Sequence, residues 1–288
     1  MKRAKGKWMS ILICLLGAVF LFSTGMALHT LVVQGKEKAA FDDLSAIVAE
    51  AAKRDAVSTP EASHNSPNAS DHAQINTVQP IRSDETPGKE ADPVPLPQYV
   101  PLYEVNTDFF GWLYIKGTNI DYPVMYSPDR PEYYLNHAFD GTYSDSGVPF
   151  IDGGCSADGN YYLIYGHHMK NKTMFGQLPE YANKSYYEEH PIIRFDTLYE
   201  QRNYQVIAVF YSRIYGKTET NVFLYYEYAD LSDEEVFDEY IRQVHAAAIY
   251  DTGFTAEYGD ELLALSTCNY HTTDGRFVVV AKRIMNTG

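Results

Sequence analysis

The chain reads as a mainly β fold behind one membrane-spanning helix, and three observations predict this. Residues 99–288 contain all 25 tyrosines of the sequence. Within them, eight short runs of β-branched and aromatic residues are separated by Gly, Asn, Asp and Pro clusters, the pattern of an antiparallel sandwich or a closed barrel. Ahead of them, Trp8 to Gly35 is a stretch of 28 residues without a formal charge. The formal net charge of −15 argues against a binder that works by neutralising phosphates, so nucleic acid is not an expected partner.

Taken in order, residues 1–7 carry Lys2, Arg3, Lys5 and Lys7 and no acid. The positive-inside bias makes them a cytoplasmic tip. A bilayer core needs about 20 apolar residues in a helix, so residues 8–35 can span it. Cleavable signals have a shorter apolar core of about 7–15 residues and a small-residue cleavage site. Here only Ser23 to Ala27 offer such a site. The span is therefore read as an uncleaved signal anchor of the cell membrane, with the remainder of the chain extracellular. A lipoprotein reading of Cys14 fails because Ile13 precedes it.

Residues 36–54 keep apolar residues at helical spacing and predict a helical stub. Residues 58–97 then hold seven of the 14 prolines, and no aromatic residue occurs between Phe41 and Tyr99. Such a segment cannot bury enough apolar surface to order itself, so the rest of 36–98 is expected to be a disordered linker. From 99 to 288 the expected strands are 111–115, 121–125, 147–151, 161–165, 192–198, 204–211, 262–267 and 277–284. Residues 174–189 read as a short helical connection. Residues 231–250 make the stronger helix, with Ser232 as its cap, Glu235 completing a capping box, and Val236, Tyr240, Ile241, Val244 and Ala248 on one face.

Cys268 ends one apolar strand, and Arg276 opens the next after the turn pair Asp274-Gly275. A hairpin would make the two residues neighbours at one end of the sheet. A guanidinium there can hold a thiolate, or the oxyanion formed when a thiol attacks a carbonyl. Another apolar strand ends at Gly166-His167-His168, which places a base at a sheet rim; His190 and His271 are possible bases on spacing alone. Adjacent residues on a strand point to opposite faces, so His167 and His168 do not make a metal site. Phosphatases with a phosphate-cradling loop have five residues between Cys and Arg, and here there are seven. Papain-like sites put the Cys before the His, whereas His167 precedes Cys268. A Cys155–Cys268 disulfide is left open.

With these residues assembled, the domain resembles a class B sortase. The correspondence runs through Asn106 to Val124, Tyr133-Tyr-Leu-Asn-His, Ile164-Tyr-Gly-His-His-Met with Met174-Phe-Gly, Leu265-Ser-Thr-Cys, and Arg276-Phe-Val-Val. The resemblance implies an eight-stranded sortase-type β-barrel over 99–288 with short peripheral helices, one of them between strands six and seven. It implies a cysteine transpeptidase that cleaves a sorting signal of the Asn-Pro-x-Thr-x type through a thioester on Cys268 and transfers the protein to an amine of peptidoglycan. His167 is the matching base, Arg276 holds substrate and oxyanion, and no metal or other cofactor is implied. Ser266, Asn269 and Leu135, with the loop Thr218 to Tyr228, are candidates for gripping the signal. The expected partners are surface proteins bearing that signal, the peptidoglycan amine and the membrane. Cys155 has no role in this pattern.

Two other readings are weighed. A pilus-assembling sortase of class C would carry a lid and a second hydrophobic segment, whereas residues 55–98 lack the aromatic residue of a lid and the sequence stops five residues after Arg283. A non-catalytic, surface-tethered wall-binding β-barrel would have no need of Cys268, His167 and Arg276 together.

Overall fold

The computed structural model describes residues 2–58 and 93–285. Eight strands close a barrel in the order β1-β2-β3-β4-β7-β8-β6-β5. They are β1 Phe109–Tyr114, β2 Asp121–Met125, β3 Phe150–Ile151, β4 Tyr161–Tyr165, β5 Ile192–Thr197, β6 Asn203–Arg213, β7 Leu262–Cys268 and β8 Gly275–Ile284. The pattern-based boundaries hold to within two residues except at β3, expected from residue 147 and found to start at Phe150. There Val148 donates its N–H to the Tyr134 carbonyl at 3.0 Å. Gly147, at φ 56°, runs so close beneath Tyr134 that a Cβ would stand 2.4 Å from the same oxygen.

Of the antiparallel sandwich and the closed barrel that the pattern allows, the barrel is found, and two of its pairs are not antiparallel: β2 pairs with β3, and β4 with β7, in parallel. Strands covered on both faces lose the apolar–polar alternation of a half-exposed sheet and read as continuous apolar runs. Tyr161 to Ile164 of β4 and Leu262 to Thr267 of β7 are all buried. The segment between these two strands supplies β5, β6 and a covering helix, so their pairing joins distant parts of the sequence.

That helix, α4, spans Glu234–Ala247 between β6 and β7. Its cap is Asp233, whose carboxylate accepts the Val236 N–H at 3.1 Å. The expected cap, Ser232, instead donates its hydroxyl to Asp230. A start one residue later removes the capping box; Phe237, Tyr240, Ile241 and Val244 face inward, and Val236 lies at the surface. Tyr240 meets Tyr161 of β4 edge-on, their hydroxyl oxygens 3.1 Å apart. The expected connection at 174–189 resolves into a 3-10 turn, Leu178–Ala182, and α3, Lys184–Glu189, capped by Asn183.

At the N-terminal end, α1 runs unbroken over Lys2–Ser58. It is long and apolar enough to cross a membrane, with a window of mean hydropathy 1.8 and no buried residue in that window. Its outer part is more than the expected stub, because it lies against the barrel. Glu37 accepts hydrogen bonds from the Ser144 and Ser146 hydroxyls, and Phe41 is buried. The expected linker falls mostly on residues 59–92, outside the described residues. Leu96 already donates its N–H to the Leu198 carbonyl at 2.7 Å, so the folded domain begins a little before Tyr99. Helix α2, Val100–Val105, then leads into β1.

Candidate active site

The β7–β8 hairpin forms as its turn chemistry predicts. Asp274 takes φ 54°, a conformation that Asp tolerates better than most residues. The register makes Cys268 and Arg276 direct partners. On the other side of β7, parallel pairing sets Tyr165 of β4 against Ser266. The chain continues alongside β7 past the end of β4. Gly166 donates its N–H to the Ser266 carbonyl at 3.2 Å, the Thr267 hydroxyl donates to the Gly166 carbonyl at 2.7 Å, and His168 Nδ1 lies 2.9 Å from the Cys268 carbonyl. Cys268, Arg276 and the turn bearing His167 therefore meet at one rim, although His167 precedes Cys268 by 101 positions.

His167 is held at its ring and at its main chain. Its Nε2 is 2.8 Å from the Leu135 carbonyl. A carbonyl can only accept, so Nε2 carries a hydrogen in that bond and Nδ1 is the nitrogen left to exchange a proton. Its own carbonyl accepts the Phe175 N–H at 2.9 Å. The preceding glycine is required here, since a Cβ on Gly166 would approach the Phe175 ring to 2.7 Å. Met174, which pairs with His168, has φ 51°, a backbone that costs an L-residue on the order of 1 kcal/mol.

The two described cysteines are both free, which answers the disulfide question. Cys155 is buried, and desolvation pushes its thiol up to about 12. Cys268 is only half-buried at the rim. Beneath it lies a residue that sequence reasoning did not single out individually, Tyr225, in a 3-10 turn at Tyr225–Glu227. Its hydroxyl is 2.7 Å from Ser266 Oγ, and burial pushes it up to about 12 against the lowering effects of the Ser266 hydrogen bond and the nearby Arg276 guanidinium. Only its place in the loop Thr218 to Tyr228 signalled it. Arg276 folds back over the turn, with Nη1 donating to the Asp274 and Gly275 carbonyls at 3.2 and 3.0 Å.

The expected gripping residues divide. Leu135 stands beside His167 through its carbonyl. Ser266 is buried, its hydroxyl turned onto Tyr225, so it forms part of the floor beneath Cys268. Asn269 accepts the His271 N–H at 3.0 Å within the hairpin turn. His271 rests against Tyr211, and His190 is fixed by the Lys116 carbonyl at 2.8 Å, so both are engaged in local packing.

The sortase domain profile matches residues 113–284, more than half of the chain, and the chain belongs to the sortase family. Within that family it is of class B. It is 30% identical over 192 residues to sortase B of Staphylococcus aureus, covering 65% of this chain and 75% of that protein. The Staphylococcus aureus sortase B–substrate complex superposes with a TM-score of 0.58 at 28% identity, over 66% of this chain and 86% of that one. A sortase B complexed with triglycine gives a TM-score of 0.58 at 29% identity, over 66% and 87%. The protein is thus a cysteine transpeptidase of the kind that anchors proteins to the cell wall, and the non-catalytic wall-binding reading falls.

Proposed function

We propose that Cys268 is the nucleophile of this transpeptidase and that its substrate is a sorting signal of the Asn-Pro-x-Thr-x type. The carrying observation is the convergence of Cys268, Arg276 and the His167 turn at the rim where β4, β7 and β8 meet. His167 Nδ1 takes the thiol proton as Sγ attacks the Thr carbonyl carbon, and the oxyanion of the tetrahedral intermediate is neutralised by the Arg276 guanidinium. The Thr–x peptide bond breaks as His167 gives its Nδ1 proton to the leaving amine, and a thioester remains on Cys268. His167 then takes a proton from an incoming amine, which attacks the thioester, forms a new amide and releases the thiolate. Atoms balance as one peptide bond exchanged for another.

The relative complexed with triglycine supports an amine at the end of a short peptidoglycan peptide as the acceptor. α1 is the membrane anchor in this reading, with its basic end in the cytoplasm and the barrel outside. Substitution kinetics on a soluble signal peptide test the assignment. Cys268→Ala abolishes turnover, His167→Ala costs about 100-fold or more, and Arg276→Ala costs a similar factor. His168→Ala is mild. A crippled His168→Ala beside an active His167→Ala would reverse the choice of base.

A further inference from the structure

Phe41 of α1 is 8% exposed and meets the Tyr122 ring of β2 edge-on, with centroids 5.1 Å apart. The Tyr122 hydroxyl accepts the main-chain N–H of Met174 at 3.1 Å. Met174, itself buried and left-handed, pairs with His168, and the next N–H, that of Phe175, donates to the His167 carbonyl. Continuous contact therefore runs from the outer part of the membrane-side helix to the main chain of the histidine turn. One helical turn before Phe41, Glu37 receives the hydroxyls of Ser144 and Ser146, each at 2.6 Å, which fixes the rotation and height of α1 on the barrel.

We infer that α1 is a working part of the active site, with Phe41 and Tyr122 as positioning residues that hold the His167 turn through Met174. This rests on the reading of His167 as the base. A left-handed Met relaxes toward ordinary backbone unless its surroundings over-determine it. The Tyr122 hydroxyl supplies one such constraint, and Phe41 blocks the direction in which the Tyr122 ring would tilt away. Relaxation of Met174 would draw the Phe175 N–H from the His167 carbonyl and swing the imidazole off the Leu135 carbonyl. The helix that anchors the enzyme would thereby also set the geometry of its proton transfer.

The test uses the full chain in detergent micelles with a soluble Asn-Pro-x-Thr-x peptide, so that access to the membrane is not what is measured. Tyr122→Phe keeps the ring and removes the acceptor; Phe41→Ala removes the wedge. Each is expected to lower kcat about three- to tenfold, the range of couplings carried by packed networks, with KM within about twofold and the alkylation rate of Cys268 unchanged. Phe41→Tyr, which keeps the ring, is expected to restore kcat. Wild-type kcat in both Tyr122→Phe and Phe41→Ala, alongside an inactive His167→Ala, would overturn the coupling and leave the base assignment standing. An active His167→Ala would overturn the base assignment and the coupling together. Should Phe41→Ala fail to fold, Tyr122→Phe decides alone.

Discussion

Two thiols in one domain illustrate how environment divides chemistry among identical residues. Cys155 is enclosed, its thiol pushed up to about 12 by desolvation, so it stays protonated throughout the neutral range. Only the thiolate attacks an electrophile, and Cys268 stands at an accessible rim beside a guanidinium. Of the two cysteines in the barrel domain, iodoacetamide at pH 8 should therefore label Cys268 alone in the folded protein and both only after denaturation, read by peptide mass spectrometry. Native labelling of Cys155 would show that its pocket opens. Each adjacent histidine is also pinned by a different carbonyl, His167 through Nε2 to Leu135 and His168 through Nδ1 to Cys268. His167 is left with Nδ1 free of that bond, whereas the Nδ1 of His168 ties the strand of Cys268 to the turn that bears both histidines.

Elements explain why those residues meet. The hairpin end of the site was legible in the sequence, because Asp274-Gly275 between two apolar runs fixes both the turn and the Cys268–Arg276 register. The parallel β4–β7 pairing was not, since nothing local marks a partner about 100 residues away and both strands show only unbroken apolar character. The start of α4 differs by one residue for a local reason, as Ser232 and Asp233 are both capping residues and Asp233 takes the role. Gly166 joins element to site, because a methyl there would press on Phe175, whose N–H holds His167. Gly166→Ala is expected to lower kcat at least tenfold, an effect of the size mispositioned catalytic groups produce. Equal kinetics in this variant would mean that the turn has slack that the packing does not suggest.

At the scale of the molecule, one buried cluster ties the barrel to the segment that precedes it. Asp196 of β5 is fully enclosed, takes the Tyr99 hydroxyl at 2.6 Å and is paired with Arg194. Its removal would strand a half-buried cation and an enclosed hydroxyl, for which buried pairs typically cost about 3 kcal/mol. Asp196→Ala should lower the thermal midpoint by about 10 °C for a domain of this size, and a shift under about 2 °C would show the cluster to be dispensable. The outer helix changes the picture most. The sequence suggests a span, a stub and a tether, whereas the structure seats residues near Glu37 and Phe41 on the barrel itself. The stub is legible in the sequence but its docking is not, because its apolar stripe is equally compatible with solvent, lipid or a barrel partner, and only tertiary packing chooses among them.

All of this depends on Cys268 forming an acyl-enzyme. The most direct measurement incubates the full chain with Asn-Pro-x-Thr-x peptides, and with Leu-Pro-x-Thr-Gly peptides as a wider panel, without an acceptor amine, followed by mass spectrometry of the intact protein and its digest. The account predicts a mass gain equal to the signal fragment ending at Thr, located on Cys268 and absent from Cys268→Ala. No adduct across the panel, or an adduct on Cys155 instead, would contradict it.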